Sequence, residues 1–328
     1  MARRGTRTVG WARLMALAAL AGLAGCQSFG DNPKYIDFPS YQGEVLPLEN
    51  PVAVRFDPVG THRFETKTAN GVTLSASAPL DRNTEIRINL DADIGLKMEG
   101  LAKIESQAEN LLVELVSRHV SVSTKAGNQP AKTHRFKDPA LLLTYQLSKS
   151  GEVLDFDIDP RSTLLQESYA PDGMDVDIRP RADTVPYYES LTRRLVIEEG
   201  DRFPIPLQRF ALLLSTKTEN KTRLSGEAFW SPIGNTLFEN RALVLGRIDG
   251  TIDVDGEIYS GQGRVGGFSL VDPQTGLELY SEVVSQATYW AGEVKVTYVR
   301  SQVTRFEPSL ENIKDFPATI AARPSAKN

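Results

Sequence analysis

The chain has 328 residues, with 37 basic side chains, 42 acidic side chains and a single cysteine, Cys26. Without residues 1–25, which contain four arginines and no acid, 33 basic and 42 acidic residues remain, a net charge of about −9. That charge argues against a nucleic-acid-binding surface and against electrostatic docking on anionic lipid. The lone cysteine excludes an intrachain disulfide and a cysteine-based metal site.

The N-terminus has the pattern of an export signal. An apolar run from Leu14 to Leu23 follows a basic lead-in that contains Arg3, Arg4, Arg7 and Arg13. The run is about ten residues long, whereas a helix that crosses a bilayer needs about 20 apolar residues. The sequence therefore predicts a signal peptide over residues 1–25 that is cleaved between Gly25 and Cys26.

The end of this segment, Leu23-Ala24-Gly25-Cys26, resembles the lipobox of bacterial lipoproteins. The resemblance implies that Cys26 is the first mature residue, with a diacylglyceryl group on its thiol and often an acyl group on its amine. Two or three acyl chains make a durable membrane anchor, whereas one is marginal. Gln27, in place of Asp, implies sorting to the outer membrane, facing the periplasm. The alternative is an ordinary cleaved signal with an incidental cysteine.

Residues 26–50 carry several glycines and prolines and little apolar periodicity, which predicts a lipidated tether that lifts the domain off the bilayer. The alternative is that the aromatic and apolar residues of this segment pack onto the domain. These residues are Tyr35, Ile36, Phe38 and Tyr41.

A first β-rich half is predicted over residues 51–159, because apolar and polar residues alternate with a period of two. Leu111 to Val116 is denser and fits either a strand buried on both faces or a short helix. Leu147 to Leu154, with Gly151 between, predicts a hairpin. The alternating positions are Val52, Val54, Phe56; Ile86, Ile88, Leu90; Ile94, Leu96, Met98; and Val120, Val122.

Four prolines interrupt the pattern in a connector over residues 160–198, where Tyr187 to Leu195 predicts a short helix. Alternation returns in a second β-rich half over residues 199–306, ending in a long hairpin from Val283 to Val303. A proline-containing flexible tail is predicted over residues 307–328. The fold class is therefore mainly β, with α+β possible, as one or two curved antiparallel sheets or half-barrels with a short helical connector.

The two halves show features of a duplication. Gly60-Thr61-His62 opens the first half and Gly200-Asp201-Arg202-Phe203 the second, and Thr275-Gly276-Leu277 closes a turn like that at Gly151. Over residues 51–306 this arrangement resembles a group of uncharacterised β-rich lipoproteins, and more faintly the half-barrel lipoprotein carriers that hold acyl chains on a concave sheet. Gly60-Thr61-His62 departs from the first pattern because it lacks the Asp. No functional residue except Cys26 carries over.

No catalytic or metal motif is complete. The histidines His62, His119 and His134 have no metal-ligand spacing. Clustered acids would suit calcium or an acid–base pair, but none of the runs completes an EF-hand loop, so solvated faces and turns are the favoured interpretation. These acids are Asp155, Asp157 and Asp159; Asp175 and Asp177; and Asp253, Asp255 and Glu257.

For two further features a structural interpretation is favoured over a functional one. The glycine-rich stretch from Gly261 to Gly267 lacks a following Lys-Ser or Lys-Thr and predicts a bulged or bent strand. Trp230 and Trp290 predict core or rim aromatics, with a ligand groove as the alternative.

These observations predict a membrane-anchored, non-catalytic envelope lipoprotein without a cofactor or metal. Its partners would be the membrane, through lipid on Cys26, and a hydrophobic ligand or an envelope protein, with no nucleic acid. The alternatives are an enzyme that acts on envelope glycans through paired carboxylates and a scaffold subunit of an envelope assembly.

Overall fold

The computed structural model describes residues 37–54, 58–79, 85–107, 110–148, 153–163, 196–205, 207, 223–255, 260–291 and 294–307. The predicted signal peptide, the Tyr187 to Leu195 helix and the tail beyond Glu307 lie outside these residues. The strands are β1 Val52–Ala53, β2 Gly60–Pro79, β3 Glu85–Ser106, β4 Asn110–Ala126, β5 Lys132–Arg135, β6 Leu141–Ser148, β7 Val153–Ile158, β8 Val196–Ile197, β9 Phe203–Pro204, β10 Arg223–Phe238, β11 Arg241–Asp255, β12 Ser260–Val271, β13 Glu278–Ala291 and β14 Val294–Glu307.

Twelve strands form one antiparallel sheet, in the order β7-β6-β4-β3-β2-β14-β13-β12-β11-β10-β9, with β5 paired to β4. Strands β1 and β8 form a separate antiparallel pair. In the part of the chain that is described, the large sheet is not closed: β7 and β9 are its two ends. The prediction of a mainly β fold built on a curved antiparallel sheet is confirmed.

The strands are longer than the predicted ones. The alternating segments around Ile86 and Ile94 are parts of one strand, β3, which pairs with β2 along its whole length. Leu111 to Val116 is strand, not helix, and continues through Val120 and Val122 in β4. The chain stays extended through Asn89, Asp91 and Asp93 because β3 is paired with β2 over this whole stretch.

The predicted hairpins are present. Strand β6 pairs with β7, and β13 pairs with β14. The glycine-rich stretch lies within β12, whose register shifts between Leu270 and Val271. The glycine-rich stretch is therefore strand, as predicted, but its register is unbroken from Gly261 to Gly267 and the irregularity comes three residues later. The turn between β10 and β11 has positive φ at both central residues, Glu239 and Asn240, the backbone that a two-residue hairpin needs.

The N-terminal and C-terminal blocks of strands are joined in one sheet, because β2 pairs with β14 from Arg63 to Ala76. They also share a hydrophobic core, which we call the first cluster. It contains residues of β4 and β6, such as Val113 and Leu143, together with residues of β11 and β12, such as Leu245 and Leu270. Because these strands are far apart in the sheet order, the sheet must curve to bring them into one core.

A second cluster covers the opposite face of the C-terminal strands. Val244 belongs to the second cluster, whereas its neighbours Leu243 and Leu245 belong to the first, as alternation along a strand requires. Short segments outside the main strands contribute Leu48 and Ile197 to this second cluster. The C-terminal strands are therefore buried on both faces.

Two glycines allow aromatic rings to lie directly on the sheet. A Cβ on Gly246 would lie 1.9 Å from Cε2 of Trp230, and a Cβ on Gly266 would lie 2.4 Å from Cγ of Phe38. Trp230 is fully buried, and its indole N–H donates to the Ser269 hydroxyl at 2.9 Å. Glycine at these two positions is thus a packing requirement.

Candidate functional site

Of the described residues, those closest in sequence to the predicted lipid attachment are bound to the sheet. Gly25 and Cys26 lie outside the described residues, but residues 37–48 form a segment that we call the strap. Phe38 lies on Gly266, with the Arg264 guanidinium 5.3 Å from its ring centroid. The Tyr41 ring meets Phe268 edge-on at 5.5 Å. The alternative for Phe38 and Tyr41, packing onto the domain, is therefore confirmed; Tyr35 and Ile36 are not described.

The strap then crosses the edge of β10. The Thr236 hydroxyl lies 3.1 Å from the Tyr41 hydroxyl and 2.7 Å from the Glu44 carbonyl, to which it donates. Leu46 and Asn235 exchange two backbone hydrogen bonds of 2.8 Å. Tyr41 packs against the first cluster and Leu48 belongs to the second, so the strap passes from one face of the sheet to the other. It thereby covers part of a strand edge that would otherwise be open to pairing.

A row of polar side chains crosses β13, β14 and β2, and we call it the polar belt; its members are buried except Gln302, which is half-buried. Its described members are Thr68, Asn70, Ser281, Ser285, Tyr298, Arg300, Gln302 and Thr304. Asn70 pairs in register with Arg300, and Thr68 with Gln302, so these side chains share one face. The Tyr298 hydroxyl donates to the Asn70 amide oxygen at 2.6 Å, and Arg300 donates to Gln302 at 2.8 Å.

Apolar residues flank the belt on the same face. Phe64 and Phe306, at one end, belong to the first cluster, whereas Val296, at the other end, packs with the second. A buried guanidinium is expensive unless it is hydrogen-bonded, and within the belt Gln302 accepts one such bond from Arg300. The belt can therefore hold polar groups in a largely apolar interior.

The sequence analysis missed the polar belt. Val294, Val296 and Tyr298 share one face of β14, and the same alternation continues through Arg300, Gln302 and Thr304. A polar half of an alternating strand normally faces water, so the pattern alone predicts exposure for these residues. Their burial depends on the curvature of the sheet.

The predicted acid clusters are only partly described. Asp157 is exposed, and Asp159 forms an ion pair with Arg161 at 2.6 Å. Asp175, Asp177 and Glu257 lie outside the described part of the chain, as do the side chains of Asp155 and Asp255. In the described ranges no group of three or more His, Cys, Asp or Glu side chains is arranged to hold a metal ion.

The three histidines lie apart from one another. His119 is exposed on β4, and His134 on β5 packs edge-on against Phe136 at 4.7 Å. His62 is 1% exposed, lies 5.0 Å from the Phe306 ring, and its Nε2–H donates to the Pro58 carbonyl at 2.8 Å. Burial lowers the pKa of His62, and the hydrogen bond to Pro58 offsets part of that effect.

The lowered pKa predicts acid destabilisation. Because His62 binds a proton more weakly in the folded than in the unfolded chain, its contribution is fully present above about pH 6.5 and is lost as the pH falls toward the folded pKa. We expect the free energy of unfolding to fall between pH 7.5 and 5.5, by no more than about 1.4 kcal/mol per pH unit from this group. Denaturant unfolding at pH 7.5 and at pH 5.5 measures this change in the free energy of unfolding.

The matched variants are His62→Gln, which keeps a donor for Pro58, and His119→Gln, an exposed control. Between pH 7.5 and 5.5 the free energy of unfolding should fall less in His62→Gln than in the wild type. In His119→Gln it should fall by as much as in the wild type. An identical decrease in all three proteins would contradict the assignment.

The two tryptophans have different environments. Trp230 is a core residue, whereas Trp290 is 52% exposed near the end of β13. Across the described ranges, no helix is both long and apolar enough to cross a membrane.

No protein-family model matches the chain, and no curated protein matches it. Among solved structures, an outer membrane channel from Pseudomonas putida F1 is similar over 80% of this chain and 100% of that chain, with 10% sequence identity and a TM-score of 0.24. A likeness at that level carries no argument about the function of this chain.

Proposed function

We propose that the protein is a lipid-anchored lipoprotein of the bacterial envelope and that its sheet acts, without catalysis, as a binding module at the membrane surface. The observation that carries the proposal is the coincidence of the chain's one cysteine with the end of a basic and apolar leader, in Leu23-Ala24-Gly25-Cys26. Gln27 after the cysteine favours the outer membrane, facing the periplasm.

The strap supports this arrangement. Ten residues separate Asp37 from Cys26, and from Phe38 onward the chain is bound to the sheet. Two or three acyl chains on Cys26 would therefore hold the sheet close to the bilayer. The exposed apolar side chains Val45, Leu46, Ile233 and Leu237 at the edge of β10 are where the sheet would hold a hydrophobic ligand or a partner chain.

Replacing Cys26 tests the anchor. We expect Cys26→Ser to abolish incorporation of labelled fatty acid and to move the protein from the membrane fraction to the soluble fraction, because the only acceptor thiol is gone. Trp290→Phe, which leaves the lipobox intact, is the control and should stay with the membranes. Fatty-acid incorporation by Cys26→Ser would contradict the proposal.

An exposed apolar patch favours a scaffold subunit as the second candidate. Leu237 is 70% exposed and Leu46 57% exposed, and Val45 and Ile233 are also exposed. These four residues flank the Leu46–Asn235 bridge at the edge of β10. Exposed apolar side chains along a strand edge are typical of protein contacts.

If the edge binds a partner, Leu237→Ser combined with Leu46→Ser should release the protein from a larger complex. The measurement is the sedimentation of the detergent-solubilised native protein, with Val59→Ser, an exposed apolar residue outside the patch, as the control. Unchanged sedimentation of the double variant would argue against the scaffold candidate.

A further inference from the structure

Trp290 is the exposed large apolar side chain at the far end of the sheet from the β10 patch. In register it neighbours Ser260 of β12 and Lys295 of β14. The Lys295 ammonium lies 5.8 Å from the Trp290 ring centroid. A tryptophan beside a lysine is the combination found where proteins meet the headgroup region of a bilayer.

The strap and Trp290 lie on the same face of the sheet. Gly266, on which Phe38 lies, pairs with Val284 of β13. Trp290 is six residues beyond Val284 on an unbroken register, and an even number of residues keeps side chains on one face. The separation along the strand is about 20 Å.

The strap also points its N-terminal end toward Trp290. Phe38 contacts Gly266 and Tyr41 contacts Phe268, so the strap runs in the same direction as β12. Its N-terminal end, Asp37, therefore lies toward the start of β12, where Ser260 pairs with Trp290.

The chain between Cys26 and the strap is long enough for the Trp290 end of the sheet to touch the membrane. Ten residues lie between the predicted lipid attachment at Cys26 and Asp37. Even fully extended they span at most about 40 Å. A bilayer that holds the Cys26 lipid is thus within reach of Trp290.

We propose that the end of the sheet that carries Trp290 faces the membrane, with the Trp290 indole in the headgroup region of a phospholipid bilayer and Lys295 beside the lipid phosphates. This inference rests on the proposed function, because it requires the lipid on Cys26. The mature chain is acidic, so the contact depends on the anchor to keep Trp290 at the surface.

Tryptophan fluorescence tests this orientation directly. Because residues 1–25 contain Trp11, the mature protein has two indoles, the buried Trp230 and the exposed Trp290. The native lipidated protein is reconstituted in vesicles of phosphatidylethanolamine and phosphatidylglycerol whose acyl chains carry bromine, a quencher of indole emission. Flotation and the mass of the N-terminal peptide are measured on the same samples.

We expect brominated vesicles to quench the wild-type emission relative to unbrominated ones and to leave the emission of lipidated Trp290→Phe unchanged. Unlipidated Cys26→Ser should show no quenching. Equal quenching of wild type and Trp290→Phe, or none in either while the protein is acylated and floats, would overturn the orientation and leave the anchor standing. Absence of acylation would overturn both.

Discussion

Gly246→Ala should lower the free energy of unfolding by about 3 kcal/mol or more, which is the upper range for overpacking a core. The reason is the 1.9 Å separation between the new Cβ and Cε2 of Trp230, which is fixed by its hydrogen bond to Ser269 and by burial on all sides. Denaturant unfolding of the purified domain measures the change. Gly71→Ala is the matched control, because its Cβ would approach nothing closer than 3.4 Å.

A double-mutant cycle identifies the cause. Trp230→Ala alone should cost about 3–5 kcal/mol, as for other buried large aromatics. In the Trp230→Ala background Gly246→Ala should cost much less than in the wild type, because the clashing ring is gone. Additive costs would show that Gly246 is required for another reason.

Tyr41→Ala should destabilise the protein by about 2–4 kcal/mol, close to the range for losing a buried aromatic side chain. The variant loses the packing on Phe268 and the hydroxyl contact with Thr236. We also expect faster proteolytic cleavage within residues 37–48, because the strap is then held less firmly. Denaturant unfolding and limited proteolysis are the two measurements.

Tyr41→Phe separates the two contributions. It keeps the ring and removes the hydroxyl, so its cost should be about 1 kcal/mol, a typical net hydrogen-bond value. A Tyr41→Ala variant with wild-type stability and wild-type cleavage would mean that the strap does not depend on this contact.

Local alternation predicted the strands well because each strand keeps one face in the core. The hairpins β6–β7 and β13–β14 follow from alternation interrupted by turn residues. The same reasoning did not reveal that β2 pairs with β14, since this contact joins residues more than 200 positions apart in the chain and no local pattern encodes it.

The burial of polar residues was harder to foresee. Arg300, Gln302 and Thr304 have the spacing of a solvated strand face, yet they lie in the polar belt because the sheet curves. The strap shows the converse: its prolines and glycines predict a free tether, but Phe38 and Tyr41 have complementary surfaces at Gly266 and Phe268. In both cases the decisive partner comes from a distant part of the chain.

The most direct measurement of the central claim is the mass of the N-terminal peptide of the mature protein purified from membranes. The account predicts that this peptide begins at Cys26 and carries a diacylglyceryl group on the thiol, with or without an acyl group on the amine. A peptide that retains residues before Cys26, or that begins at Cys26 with a free thiol, would contradict it.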